Sequence, residues 1–429
     1  VAVADAARRT VCTWRLRDSG DGRARVRSRF FGHDEVVLAP SQVASLSSVA
    51  NGDRTAIGTS ELVVSALRAR RLSRHELGTF HLVRSDADLQ AAMSALASRT
   101  AHRFDRFDGR IGAVAEFGSG RVLSPTTLEA YATCPFRYFL SSELGVEFVE
   151  EPERRTVIDR RERGSIVHEI LERFVADVMN ADGNLASVDT PKHLEDVAEG
   201  VFERFERLGR TGAAVLWARE RRDLLALLER ERVADATRRV TERRHPLALE
   251  WIFGAEDVPP LEIPLRSGSV AFRGKVDRID RRSDGALSVI DYKTGGASAY
   301  EGLDDDPVDG GHHLQLAIYA LAASSRLDPS APVSSSYRFL DEGGMEQAVI
   351  LDDELVARTS EVVGILADGI QKGMFPYNPG EASWQSFANC KFCDFKWVCP
   401  PDRDDFWEQA SKEPDLASYV ELVGGGEDE

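Results

Sequence analysis

No apolar run in the 429-residue sequence approaches the roughly 18 residues that a membrane-spanning helix needs, so no membrane partner is expected. Five cysteines are too few for a disulfide framework in a chain of this size, which excludes a disulfide scaffold and favours a reducing, cytoplasmic setting. Lysine is also scarce: only seven of the 54 basic residues are Lys, so a lysine inside a motif carries weight. Two of the seven, Lys275 and Lys293, fall in one short segment. There is no internal repeat, and no low-complexity segment beyond the acidic tail Gly424 to Glu429, which excludes a repeat array. A phosphate-binding loop is missing too. The stretch Gly268 to Lys275 looks like one only superficially: five residues separate Gly268 from Gly274, Val276 stands where Ser or Thr is needed, and the run reads as a strand. No ATP-driven motor is therefore visible. The opening residues, Val1 to Asp5, lack an initiator Met and a signal pattern, and are read as a trimmed or internal boundary.

What remains is an ordinary globular composition, 42% hydrophobic and 29% charged, long enough for two or three domains. The net charge of -17 argues against non-specific attraction of nucleic acid over the whole surface and leaves room for a local basic groove. Residues 1–120 carry short helical patterns, Glu61 to Leu72 and Asp86 to Ala97, and no chemical motif; they are expected to form a mainly helical accessory region of unknown role. Phe117 to Gly120 marks a boundary, so a second domain is expected over 121–429. It opens with Ser124-Pro125 as cap and first turn of a helix running through Leu128, Tyr131, Phe136 and Phe139, and continues with a helix from Arg160 to Val178. A helical insertion is expected at about 180–250, where interleaved Arg and Glu suggest a solvated, ion-paired face. Val270 to Ile279 then alternates as a strand, Ser283-Asp284-Gly285 is turn chemistry, and Ala286 to Tyr292 is a second strand, which together make a hairpin. Helical spacing returns over His313 to Ala323 and Glu354 to Ile370, with a strand from Val333 to Leu340 between them. The fold expected is α/β, a mixed sheet flanked by helices.

Chemistry concentrates on the hairpin. Asp291 and Lys293 stand at i and i+2 of a strand and so project from one face, and Asp277 on the partner strand reaches the same end. Two carboxylates beside an ammonium are costly without a further cation, and hard oxygen ligands suit Mg2+ or Mn2+. Such an ion would polarise a phosphate oxygen and acidify a water, with Lys293 holding the nucleophile. A simple strand-end ion pair followed by a glycine turn gives the same short pattern. Asp280 points away from Asp277 by alternation and is the spare acid.

Four motifs in order resemble the PD-(D/E)XK nuclease superfamily, and within it the nuclease module of the AddB and RecB type from bacterial recombination exonucleases. They are Gly164 to His168 on a helix, Gly274 to Asp280, Asp291-Tyr292-Lys293, and Gln315 to Ala320. The resemblance covers residues 124 to about 400 and implies a restriction-endonuclease-like sheet. It implies that His168, Asp277, Asp291 and the Tyr292 carbonyl hold the metal, that Asp277, Asp291 and Lys293 are catalytic, and that Gln315 and Tyr319 lie near DNA. Packing at the core edge is the alternative for the last two.

Cys390, Cys393 and Cys399 share one loop, and Cys134 lies at the other end of the domain. The Cys-x2-Cys pair alone allows zinc, a redox pair or chance. With the distant fourth cysteine the set resembles the iron-sulfur staple of AddB-type and CRISPR-associated nucleases, which implies a [4Fe-4S] cluster clamping the domain's opening helix to its closing loop, with zinc as the alternative metal. Phe392, Phe395 and Trp397 would shield it, with a plain packing role as the equal alternative. Cys12 stands outside the pattern as an unpaired small hydrophobe. The resemblance therefore implies a Mg2+- or Mn2+-dependent DNA nuclease, an exonuclease on single-stranded ends, beside a helicase/ATPase partner or a motor in a missing N-terminal portion. The alternative is a catalytically inactive DNA-binding subunit that guides strands for a partner.

Overall fold

In the computed structural model the described residues are 87–100, 104–113, 121–147, 156–181, 185–255, 257–265, 268–384 and 386–424. The expected helix at Glu61 to Leu72, Cys12, the boundary at Phe117 to Gly120 and nearly all of the acidic tail lie outside them. The chain divides into two compact units, Val1–Met93 and Ser94–Glu429. A helix, α1, spans Ala87–Thr100, and every later element belongs to the second unit.

Strand β1 (Val122–Leu123) leads into α2 (Pro125–Thr133), capped as expected by the Ser124 side chain accepting from the Thr127 N–H at 3.2 Å. The helix does not run on to Phe139: Cys134 is extended, and Pro135 starts a separate short helix α3 (Pro135–Tyr138) because its ring cannot donate to the turn before it. Helix α4 (Arg160–Met179) matches expectation. After it come α5 (Leu185–Val188), α6 (Pro191–Arg207) and α7 (Ala214–Thr241). The helical stretch ends there, short of the expected 250, because Arg244–Phe253 is strand β2.

The alternating run expected from Val270 to Ile279 is two strands in two sheets. Strand β4 (Ser269–Phe272) joins β1 and β3 (Leu261–Pro264), while β5 (Gly274–Arg282) belongs to the main sheet. That sheet is completed by β6 (Leu287–Lys293), β7 (Val333–Phe339) and β8 (Met345–Ile350), in the order β2-β5-β6-β7-β8. The pair β6–β7 is parallel and the others antiparallel, so the mixed sheet is as expected. The β5–β6 hairpin turns at Ser283-Asp284-Gly285, with Gly285 at φ 90° where a side chain would be strained. Helix α8 (Gln315–Arg326) supplies the crossover between β6 and β7 and α9 (Asp353–Gln371) follows β8. Two further helices, α10 (Arg403–Ala410) and α11 (Ala417–Gly424), follow the cysteine loop.

Alternation along the strands builds two cores. Ile279, Val289, Tyr337 and Phe339 pack on one side with α2, α8 and α9, whereas Ile290 and Tyr292 pack on the other with α4, α6 and α7. All six are at most 4% exposed, and a large-to-alanine change at any of them removes about 2–5 kcal/mol. Among the described residues no helix is long and apolar enough to cross a membrane.

Candidate active site and cysteine loop

The β5–β6 ladder is short: it ends at the pair Arg278–Ile290. Beyond it β5 follows β2 to Phe253–Gly274, and β6 follows β7 to Lys293–Phe339. The sheet therefore opens as a fork, and the N–H and C=O of Tyr292 lose a strand partner. Side chains take their place. Asp277 Oδ2 accepts from the Tyr292 N–H at 2.8 Å, and His168 Nε2 lies 3.0 Å from the Tyr292 carbonyl. The other ring nitrogen of His168 lies 3.1 Å from Asp277 Oδ1. Helix α4 thus delivers His168 into the fork, bringing His168, Asp277 and the Tyr292 carbonyl together.

Both neighbours of the imidazole are acceptors, which calls for a proton on each nitrogen. Burial pulls the His168 pKa down, but the hydrogen bond and charge of Asp277, with Asp291 behind it, outweigh that and hold it above the ordinary value. Asp291 is pushed upward by burial and by Asp277, against the pull of Lys293. The fork is a place that asks for positive charge.

Lys293 points from the same face as Asp291, as period two requires. Its ammonium is 2.6 Å from Asp291 Oδ2, donates to Gln315 Oε1 at 2.8 Å and lies 4.5 Å from the centre of the Tyr337 ring. Despite burial, Asp291 and then Tyr300 raise its pKa, so it stays charged. Gln315 is thus engaged with the lysine. Tyr319, one turn on, is 5% exposed and packs edge-on against Phe253. Asp280 is the spare acid expected: it points to the other face and holds Arg278 through contacts of 2.6 and 2.9 Å.

Two further acids were not foreseen. Glu250 lies between the pairs Leu249–Arg278 and Trp251–Val276 of β2, opposite Asp277, at φ 49°. A non-glycine residue held left-handed in a strand is strained, and such strain collects at functional sites. Glu250 pairs with Lys275, and its carboxylate, His168 and Asp277 offer ligand atoms within 4.8 Å of one another. They line a groove of about 660 Å3 with Arg161 and Arg173 on its rim. Glu129, on α2, is pushed up to about 7 by burial, against the Leu314 N–H and the Lys293 charge.

The cysteines gather away from the fork. Burial pushes the Cys399 thiol up to about 12, helped by the charges of Cys134, Cys393 and Cys390 and opposed by Arg403. Cys134 is likewise raised, by burial first, while the backbone N–H groups of Arg137, Asn378 and Phe136 oppose the shift. Helix α2 is already tied here to the closing segment of the domain: Asn389 Nδ2 donates to the Thr133 carbonyl at 2.8 Å, and the Tyr419 hydroxyl to the Ala132 carbonyl at 2.9 Å. Of the aromatics expected to shield the cysteines only Phe395 is buried. Phe392 and Trp397 are 67% and 79% exposed and turn to solvent.

Residues 122–400 match the PD-(D/E)XK nuclease superfamily, and the chain belongs to it. Its sequence is 32% identical over 231 residues to an ATP-dependent helicase/deoxyribonuclease subunit of Acetivibrio thermocellus, covering 51% of this chain and 19% of that protein. It is 27% identical over 316 residues to the protein of the same name from Symbiobacterium thermophilum, covering 68% of this chain and 26% of that one. The resemblance to an AddB-type nuclease module is thereby borne out. The chain matches only about a fifth to a quarter of the length of these relatives.

Proposed function

We propose that this member of the nuclease superfamily is a Mg2+- or Mn2+-dependent deoxyribonuclease, hydrolysing phosphodiester bonds at single-stranded DNA ends as the nuclease domain, residues 121–429, of a cytoplasmic helicase–nuclease system. The observation that carries the reading is the fork, where an imidazole, a carboxylate and a freed carbonyl converge beside a second acid and a charged lysine. The fit to a divalent ion rests on that donor set: hard carboxylate and carbonyl oxygens and one imidazole. His168, Asp277, Asp291 and the Tyr292 carbonyl would hold it, with Glu250 within reach. When bound, the ion polarises a phosphate oxygen and lowers the pKa of a water.

The chain's own residues do the rest. Lys293 is fixed between Asp291 and Gln315, which keeps one ammonium aimed at the nucleophile and at charge developing on phosphorus oxygens. Arg161, Arg173 and Lys275 are the cations that line the groove among its acids, and they are the groups a strand's phosphates would meet there. Gln315 and Tyr319 border DNA at the lysine's side. The four cysteines hold a [4Fe-4S] cluster: thiols that oppose one another's ionisation are stabilised as thiolates by a bound cation, and backbone N–H groups at Cys134 suit a ligated sulfur. The relatives, whose names join helicase and deoxyribonuclease, support a helicase partner. A guiding subunit without catalysis is disfavoured, since Asp277, Asp291, Lys293 and His168 are all retained.

Labelled linear single- and double-stranded DNA incubated with the chain and Mg2+ or Mn2+ tests the reading. Cleavage is expected, and Asp291→Ala and Lys293→Ala are each expected to lower it by about a thousandfold, as loss of a transition-state charge partner does. DNA binding without cleavage by the wild type would replace the nuclease by the guiding subunit.

A further inference from the structure

Helix α8 begins without a cap of its own. Its N-cap position is Leu314, whose side chain offers no acceptor, where Ser, Thr, Asp or Asn is the usual choice. The first N–H groups of a helix have no partner inside it, and here the helix start is packed in the core, with Leu314 fully buried. The acceptor comes from elsewhere. Glu129 Oε1, on α2, accepts from the Leu314 N–H at 2.7 Å and from the Gln315 N–H at 3.0 Å. The loop ahead of α8 can come this close because residue 311 is glycine, at φ 93°: a Cβ there would sit 2.9 Å from Leu366 and 3.3 Å from Ala132 of α2.

The capped residue is the one that holds the lysine. Gln315, whose N–H Glu129 fixes, uses its side chain to accept from Lys293 Nζ at 2.8 Å. Five residues after Glu129 the same helix ends at Cys134, where Asn389 holds the Thr133 carbonyl. A continuous line therefore runs from the cysteine loop through α2 to Glu129, to the first turn of α8, to Gln315 and to Lys293.

We propose that Glu129 is a positioning residue for the nuclease reaction: by capping α8 from α2 it sets the place of Gln315 and, through it, of the Lys293 ammonium. The proposal rests on the nuclease reading given above. Accepting from two N–H groups does not require the charge of the carboxylate, since an amide oxygen accepts equally well in that position. Glu129→Gln should therefore preserve the role and Glu129→Ala should remove it.

The full chain carrying each variant is compared with wild type in cleavage kinetics on single-stranded DNA at saturating Mg2+, and in amide hydrogen exchange at Leu314 and Gln315. In Glu129→Ala, kcat is expected to fall about tenfold, equivalent to one hydrogen bond's worth of misplacement, with KM nearly unchanged. The two amides should exchange about tenfold faster or more, and Glu129→Gln should sit close to wild type in both readouts. Should Glu129→Ala fail to fold, Glu129→Asp, which draws the carboxylate back by one methylene, takes its place with the same expected direction. Faster exchange with unchanged kcat would make Glu129 a cap and nothing more, and would overturn the proposal, as would a Glu129→Gln as impaired as Glu129→Ala. A wild type that cleaves nothing would instead overturn the nuclease reading, and the exchange data would still report on the cap.

Discussion

Alternate residues of β5 and β6 place charges on both faces of one sheet, and the two faces treat them oppositely. Behind the sheet Arg278 and Arg338 are fully buried and matched by acids. Arg278 meets Asp280 at 2.6 Å and Asp235 at 2.8 Å, Arg338 meets Glu346 at 2.7 Å and Glu231 at 3.0 Å, and Arg239 and Arg238 of α7 complete the match at Asp235 and Glu231. In the fork the acids Asp277, Asp291 and Glu250 meet two ammonium groups, those of Lys293 and Lys275, and the imidazole of His168. A matched set satisfies itself and locks α7 to the sheet, while Asp277 and Glu250 in the fork line an open groove. Enclosure of matched charge, more than the presence of charge, separates the structural face from the chemical one.

The sharpest way to break that comparison is to unbalance the structural face. Arg278→Met would leave Asp280 and Asp235 buried without their partner and should cost about 3–5 kcal/mol in urea unfolding. Asp277→Ala, one residue earlier on the same strand, relieves repulsion with Asp291 but removes the acceptor of the Tyr292 N–H, so it should cost only about 1–2 kcal/mol while abolishing cleavage. Equal destabilisation by the two variants would show that the faces do not differ as described.

On the proposed reading, a divalent cation should act on the fork alone. Millimolar Mn2+ is expected to raise the wild-type unfolding free energy by about 1–3 kcal/mol through linkage, and to do so in Arg278→Met as well. Asp277→Asn, which weakens the donor set, should lose most of the rise. A rise of the same size in Asp277→Asn would place the stabilising ion somewhere other than the fork.

How much the sequence could reveal depended on the range of each interaction. Asp291 and Lys293 were legible because period two is local, and so was the hairpin, through Ser283-Asp284-Gly285. The fork was not, since the end of a ladder at Arg278–Ile290 depends on which neighbour each strand follows. Strand β2 went unread because a bulge between Pro246 and Ala248 and the left-handed Glu250 break its alternation, and Glu250 was lost with it. Glu231 and Asp235 sit four apart among arginines and look like the rest of a solvated helix; only their partners on β5 and β7 make them buried. Glu129 caps a helix 185 residues further on, which no local pattern could announce.

The smallest effect belongs to the residue the two faces share. Tyr292 gives its carbonyl and N–H to the fork, yet its ring lies behind the sheet, with its hydroxyl 3.3 Å from Arg278 Nη1 and the Arg338 guanidinium 5.7 Å from the ring centre. Burial pushes its phenol up to about 12 even with both arginines pulling the other way, so the hydroxyl stays neutral at ordinary pH. Tyr292→Phe keeps the backbone groups and the ring and deletes only the hydroxyl. Arg278 retains its two carboxylate partners, so the cost should be about 0.5–1.5 kcal/mol in urea unfolding, with cleavage within about twofold of wild type. A large loss of activity with little loss of stability would mean that the ring's anchorage behind the sheet sets where the carbonyl points in front, and that the two faces are coupled through this one side chain.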